Sequence, residues 1–190
     1  MTGKPIDLGM TALDELFMTD QERKDSKLPK VQEISLSLID DMQGHPFKVR
    51  RDEDMIALAE SIKTHGVITP VILRQKEDGR YECVSGHRRR MAAAEAGYTT
   101  IKAEVRNLTR DEAIIIMTHS NRQRSKILPS EKAFAYKMEM EALNRQGKRS
   151  DLTSRPLVGK LETADEIGLA NEESGRQVQR YIRLTNQIPE

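Results

Sequence analysis

The stretch YECVSGHRRRMAAAEAG, residues 81–97, decides the fold. Tyr81 to Ser85 has the length and composition of a short strand, and Asp78-Gly79 just before it supplies a tight turn. Gly86 separates that strand from the alanine-rich run His87 to Ala96. That run favours a helix, and Gly97 stops it. A strand that passes directly into a helix belongs to an α/β layer, so partners for both are expected on either side in sequence.

Those partners are present. Pro70 to Arg74 reads as a strand that pairs across the Asp78-Gly79 turn, and Thr100 to Val105 as another. Asp52 to His65 places Met55, Leu58, Ala59 and Ile62 on one helical face, with Gly66 at its end. Further upstream, Ile34, Leu36 and Leu38 alternate with polar residues, the pattern of a half-buried strand beginning at Val31. Residues 31–126 are thus expected to form a small mixed-sheet α/β domain. In residues 1–30, charges of both signs surround Leu13, Leu16 and Phe17 without a sustained period, and a flexible tail is expected there.

After Val105 the strand signals cease. Thr109 with Glu112 makes a capping-box pattern at the head of an apolar helix through Ala113 to Met117. Pro129 opens another helix, with Phe134, Ala135, Met138 and Ala142 on its buried side, and Gly147 to Gly159 reads as a loop. Two further capping boxes follow, Thr163 with Glu166 and Ser174 with Gln177. Two short capped helices at that separation make a tight helical hairpin. Residues 127–190 are therefore expected to be all-α.

Composition limits the function. Aromatic residues make up 4% of the chain and apolar residues 37%, against 32% charged, which supplies small cores rather than one broad one. The net charge of +1 excludes a uniformly basic nucleic-acid binder, yet between Arg80 and Lys126 ten Lys and Arg stand against five Asp and Glu. Positive charge is concentrated mid-chain. No apolar run approaches a membrane span and residues 1–8 lack a signal-peptide pattern, so a cytoplasmic protein without a membrane partner is expected. The single cysteine, Cys83, forms no internal disulfide, and the scattered His45, His65, His87 and His119 do not suggest a zinc site.

Three patterns carry chemistry. Ser85-Gly86-His87-Arg88-Arg89-Arg90 lies where a strand becomes a helix. Cations there oppose the positive end of the helix dipole unless an anion is present, and a phosphate would reverse the balance. The competing reading is that the arginines splay into solvent. Asn121-Arg122-Gln123-Arg124 ends the helix after the sheet; it can orient a phosphate or hold a hydrated metal, and an ordinary polar helix end has the same composition. In the C-terminal hairpin, Gly168 suits the close crossing of two helices, and Val178 and Ile182 suit the inner stripe. Ser174 heads the second helix. Arg176, Gln177, Gln179, Arg180 and Arg183 are then outward, types that reach phosphates and the edges of guanine and adenine; a merely structural hairpin is the alternative. Glu172 falls in the turn where such sequences usually have glycine, and Asn171 is expected to take the left-handed position.

In order and spacing these patterns resemble the ParB partition family. Gly86-His87-Arg88-Arg89 is similar to its Gly-Glu-Arg-Arg box. Ser120-Asn121-Arg122-Gln123-Arg124 with Pro129-Ser130-Glu131 is similar to its second box, and Leu58-Ala59 through Gly66-Val67-Ile68 and Pro70-Val71 to its opening segment. The resemblance implies a CTP-responsive DNA clamp: a ParB/sulfiredoxin-like N-terminal domain followed by a helix-turn-helix that recognises a centromere-like site on double-stranded DNA. It implies a homodimer and a ParA-type ATPase partner. Gly66, Thr69 and Pro70 correspond to the segment beside the base, and Gly86, His87, Arg88, Arg89, Asn121 and Arg124 to the triphosphate side, with Asn121 toward Mg²⁺. His87 and Ser120 stand where the family boxes carry glutamates, which implies at most a slow CTPase. The family continues beyond a helix-turn-helix into further helices, so residues 127–190 are expected to be an incomplete DNA-binding domain. Sulfiredoxins are also similar around Gly86-His87-Arg88 but carry their catalytic cysteine where Gly86 stands. A nuclease or phosphotransferase of the same superfamily, and a regulator from a mobile genetic element without nucleotide response, are the competing functions.

Overall fold

The computed structural model describes residues 31–122, 124, 127–150 and 158–187. The expected tail, residues 1–30, and residues 151–157 of the expected loop lie outside the described residues. The chain runs β1 (Val31–Ser35), a 3₁₀ turn (Leu36–Leu38), β2 (Ile39–Asp41), α1 (Glu53–His65), β3 (Val71–Gln75), β4 (Tyr81–Ser85), α2 (His87–Glu95), β5 (Thr100–Arg106), α3 (Arg110–Asn121), α4 (Pro129–Ser150), α5 (Val158–Ala170) and α6 (Gly175–Leu184). The five strands form one mixed sheet in the order β1-β5-β3-β4-β2. Its β1–β5 and β3–β4 pairs are antiparallel, and its β3–β5 and β2–β4 pairs are parallel.

Alternation along the strands assigns each face its helices. Val71, Leu73, Cys83, Ile101 and Ala103 join Met55 and Ile62 of α1 and Ala92 and Ala93 of α2 in one core. Val84, one residue from Cys83, belongs to the opposite face and packs with Ala113, Ile114 and Met117 of α3, Ala135 and Ala142 of α4, and Met42 and Phe47. A third cluster, Tyr136, Ile167 and Val178 with Met140, Leu143, Tyr181 and Ile182, joins α4 to α5 and α6. Helix α4 is therefore apolar on two sides. The sequence pattern revealed only the side with Ala135, Met138 and Ala142, because a second partner widens the buried stripe beyond one amphipathic face.

Four local expectations are corrected. The alternation Ile34, Leu36, Leu38 does not continue as one strand: the chain turns at Leu36–Leu38, Leu38 is exposed, and Ile39 takes the buried position. Helix α4 continues through Gly147 to Ser150, since one glycine inside a long helix costs only about 1 kcal/mol and does not end it. Thr163 does not cap a helix with Glu166, since α5 already begins at Val158 and Thr163 lies inside it. The helix formers Lys160, Leu161 and Glu162 let the helix begin upstream of the local capping pattern. In the turn, Glu172 and not Asn171 takes the left-handed backbone, with φ 57°. Asn171 instead donates its Nδ2 to the Ile167 carbonyl oxygen at 2.6 Å, which ties it to the end of α5. The expected capping boxes at Thr109–Glu112 and Ser174–Gln177 are both formed.

Candidate nucleotide and nucleic-acid sites

Gly86 sets the turn from β4 into α2. Its φ is +102°, and a Cβ there would lie 2.7 Å from Val71 Cγ1, so a side chain is excluded both by backbone conformation and by contact with β3. The close approach brings the head of α2 against the segment before β3. Arg89 donates to the carbonyl oxygens of Thr69 at 2.6 Å and Pro70 at 2.8 Å. Thr69 and Pro70 and the Gly86–Arg89 turn, far apart in sequence, thus meet.

The arginines do not splay into solvent. Arg88 makes a two-pronged contact with the Asp52 carboxylate at 3.2 and 2.9 Å, and the same carboxylate caps α1 by accepting from Met55 N. Arg88 holds the Asp52 carboxyl below its usual range. Arg90 reaches the Ile39 carbonyl oxygen at 2.7 Å and Asp41 at 2.5 Å. The cations at this helix end are therefore balanced by two carboxylates and three carbonyls of the fold, so their charge alone does not require an anion.

His87 begins α2 and is 8% exposed. Its ring lies against His45, with centroids 4.0 Å apart, and His45 Nδ1 is 2.8 Å from the Phe47 carbonyl oxygen. Burial pushes His87 down to about 3, with His45, Arg90 and Arg124 adding to the effect, and burial also lowers His45. Arg124 therefore stands on the same side as His87. Asn121 is used differently: its Nδ2 donates to the Met117 carbonyl oxygen at 2.8 Å, closing the end of its own helix. Among the described residues it makes no hydrogen bond to the head of α2. Arg122 and His119 of the same segment bind Glu139 of α4 at 2.6 and 3.0 Å.

The residues at the α2 head fit an anion better than a hard dication. The carboxylates nearest it, Asp41 and Asp52, are already engaged by arginines. Among the described residues no group of three or more His, Cys, Asp or Glu could hold a metal ion. Sequence reasoning missed His45, Asp41 and Asp52 because they lie in segments without a motif; only the fold brings them to the α2 head.

The second site is the α5–α6 hairpin. At Gly168 a Cβ would lie 2.6 Å from the Glu173 carbonyl oxygen and 2.9 Å from Gly175 N, so the two helices cross backbone to backbone. Glu173 fastens the turn to α4 through Lys132 and through the Tyr136 hydroxyl, which donates at 3.1 Å. Val178 is buried, and Tyr181 and Ile182 pack beside it. Gln177 is committed to the cap, its Oε1 accepting from Ser174 N at 3.0 Å. Arg176, Arg180 and Arg183 are exposed, with Gln179 half-buried between them. Unlike Arg88, Arg89 and Arg90, these three have no hydrogen-bond or ion-pair partner among the described residues.

Fold and sites together define a small α/β domain with a basic strand-to-helix turn, followed by helices that carry an exposed basic face. Residues 20–122 match the ParB N-terminal domain, and the chain belongs to that family. A nucleoid occlusion protein from Geobacillus sp. (strain WCH70) is 33% identical over 130 residues, 68% of this chain and 44% of that protein. Its counterpart from Bacillus thuringiensis (strain Al Hakam) is 34% identical over 131 residues, 68% of this chain and 45% of that protein. The chain spans less than half the length of these curated relatives. Among solved structures, the C-terminally truncated chromosome-partitioning protein ParB from Caulobacter crescentus complexed to the centromeric parS site is 25% identical. It aligns over 84% of this chain and 73% of its own, with a TM-score of 0.52. A pNOB8-like ParB N-domain shares the fold at 14% identity, covering 79% of this chain and 66% of its own with a TM-score of 0.56.

Proposed function

We propose that this chain is the DNA- and nucleotide-binding part of a ParB-like partition protein, with a helix-turn-helix in α5–α6 that reads a centromere-like site and an N-terminal domain that binds CTP. The observation that carries this reading is the face of α6. Arg176, Arg180 and Arg183 are exposed on one helix, capped at Ser174 and held by Glu173 against α4, with no acidic partner among the described residues. Three unpaired guanidiniums repel one another and are stabilised by phosphates, while Gln179 and the same arginines can reach base edges. The Caulobacter relative bound to parS supports the same assignment. In this reading residues 31–126 hold the nucleotide, with Gly66, Thr69 and Pro70 beside the base and Arg88, Arg89 and Arg124 toward the phosphates. Residues 127–190 carry DNA recognition. The arginines at the head of α2 suit a triphosphate; Mg²⁺ would depend largely on the nucleotide's own oxygens, with Asn121 released from Met117. Homodimerisation, a ParA-type ATPase partner and a place on nucleoid or plasmid DNA in the cytoplasm belong to the same proposal. Among the described residues no helix is long and apolar enough to cross a membrane.

A second reading has its own observation. Because Arg88, Arg89 and Arg90 all have partners within the fold, the N-terminal domain would also stand as a structural platform, in a DNA-binding regulator without nucleotide response. Titrating the chain with labelled CTP, ATP and GTP, with and without DNA, separates the two. DNA titrations of Arg176→Ala and Arg180→Ala across a salt series test the DNA face. A lost phosphate contact lowers the slope of log affinity against log salt by about 1, and a lost base contact flattens the preference between sequences. If affinity, slope and preference are unchanged in both variants, DNA binds elsewhere.

A further inference from the structure

The α5–α6 hairpin stands on α4 through two kinds of contact. One is apolar: Tyr136, Ile167 and Val178, with Met140, Leu143, Tyr181 and Ile182 beside them. The other is a charged cluster at the turn. Glu173 accepts from Lys132 Nζ on Oε1 and from the Tyr136 hydroxyl on Oε2, the latter at 3.1 Å. Lys132 Nζ also lies 5.3 Å from the ring centroid of Tyr181 and 5.7 Å from that of Tyr136. The two rings meet edge to face, with centroids 5.8 Å apart. From its place on α4, one ammonium thus engages a carboxylate of the turn and a ring of α6.

Burial makes this cluster directional rather than strongly stabilising. Side-chain exposure is 15% for Glu173 and 27% for Lys132, so both charges have lost most of their water, and that cost offsets much of their attraction. The apolar contacts hold the hairpin down without fixing an angle, because burial of apolar surface is non-directional. On its other side the turn faces a cleft of about 480 Å³, lined by Phe47, Arg122, Arg124, Asn171 and Glu172 among others, and not a packed wall. Glu173 follows the left-handed Glu172, and its N–H donates to the Gly168 carbonyl oxygen at 2.8 Å. The backbone therefore ties Glu173 to the turn, and whatever holds its carboxylate also places the start of α6. Tyr181, the ring beside Lys132, lies in α6 between Arg180 and Arg183.

We propose that Lys132 and Glu173 are positioning residues for sequence readout: with Tyr136 and Tyr181 around it, the pair sets the angle at which α6 stands on α4, without touching DNA. The proposal rests on the DNA-binding reading of α6 given above. Phosphate contacts survive a small rotation of the helix, because long arginine side chains follow the charge. Contacts to base edges need hydrogen-bond distances and angles, and a rotated helix loses them. Loss of the pair therefore removes discrimination between sequences and leaves the electrostatic, sequence-independent affinity in place.

The test uses the full chain, a duplex that it selects from a random-sequence library, and a scrambled duplex of the same composition. Lys132→Met combined with Glu173→Gln removes both charges together, so neither is left unpaired, and the amide oxygen can still accept from Tyr136. The expected result is a urea midpoint close to that of the unmodified chain, with unchanged affinity and salt slope on the scrambled duplex. Affinity for the selected duplex is expected to fall by about tenfold or more. Lys132→Arg, which keeps a cation beside Glu173, is expected to retain most of the preference. Full preference in the double variant overturns the inference and leaves the DNA reading standing. An equal loss on both duplexes, or a salt slope lowered by about 1, would mean that Lys132 itself meets a phosphate, and also overturns it. So does a double variant that melts far below the unmodified chain, since the cluster would then hold the hairpin together and not aim it. If the unmodified chain selects no duplex, the DNA reading falls and the inference with it.

Discussion

Gly168→Ala probes the hairpin on which the DNA-binding proposal depends. In an ordinary exposed helix, replacing glycine by alanine stabilises by up to about 1 kcal/mol. Here the added methyl would sit 2.6 Å from the Glu173 carbonyl oxygen and 2.9 Å from Gly175 N, both backbone atoms that no side-chain rotation can remove. Relief requires α5 and α6 to separate, which loosens Ile167 and Val178, now 1% and 0% exposed. Overpacking costs about 1–3 kcal/mol, and backbone contacts below 3.0 Å put this case in the upper part of that range, about 2–3 kcal/mol, so subtracting the helix-propensity gain of about 1 kcal/mol leaves a net loss of about 1–2 kcal/mol. For a chain of this size that lowers the thermal midpoint by roughly 2–8 °C. Leu169→Ala, at a neighbouring position that is 85% exposed, is the control and is expected to change stability by less than about 0.5 kcal/mol. Thermal and urea melts give the stability, and a DNA titration of both variants shows whether recognition follows the hairpin. A Gly168→Ala protein as stable as the unmodified chain, or more stable, would refute the crossing described here.

Arg89→Ala leaves the Thr69 and Pro70 carbonyls without their donor and is expected to cost about 1–3 kcal/mol in a urea melt. Arg88→Ala, which breaks only an exposed pair with Asp52, should leave stability nearly unchanged while weakening CTP binding; retained CTP affinity in that variant would exclude Arg88 from the site. Hydrolysis of CTP is expected to be slow or absent and to rise in the double variant His87→Glu, Ser120→Glu. Rapid phosphate release by the unmodified protein would show that carboxylates at these positions are unnecessary. Stability should also depend on pH through His87. Its folded-state value is pushed to about 3, below the ordinary 6.5, so the unfolded chain binds more protons between those values. The contribution is complete above about pH 6.5 and is lost as pH falls, by up to about 1.4 kcal/mol per pH unit. The urea midpoint at pH 5.5 should therefore lie below that at pH 7.5, with a smaller gap in His87→Gln. Equal gaps in the two proteins would mean that His87 does not titrate as its burial requires.

Local signals in the sequence determined most of the elements. The glycines that end α1 and α2, the turn at Asp78-Gly79, Pro129 at the head of α4, and the capping boxes at Thr109 and Ser174 act within a few residues, so a single chain segment is enough to read them. The same locality misled at Thr163, where a capping pattern lies inside a longer helix, and at Leu36 to Leu38, where alternation continued past the end of a strand. Gly168 and the outward arginines of α6 were also legible, because helical periodicity fixes which residues share a face. What only the tertiary structure decided is how distant segments share atoms. It gave Arg88 to Asp52, Arg89 to the carbonyls before β3 and Arg90 to Asp41, and so balanced a cluster that looks uncompensated in sequence. It turned Asn121 back onto its own helix and set His45 against His87. Contacts between residues many positions apart follow from the order of strands in the sheet and from the two-sided burial of α4. Neither has a local periodicity, and both arise only when the layers close on one another.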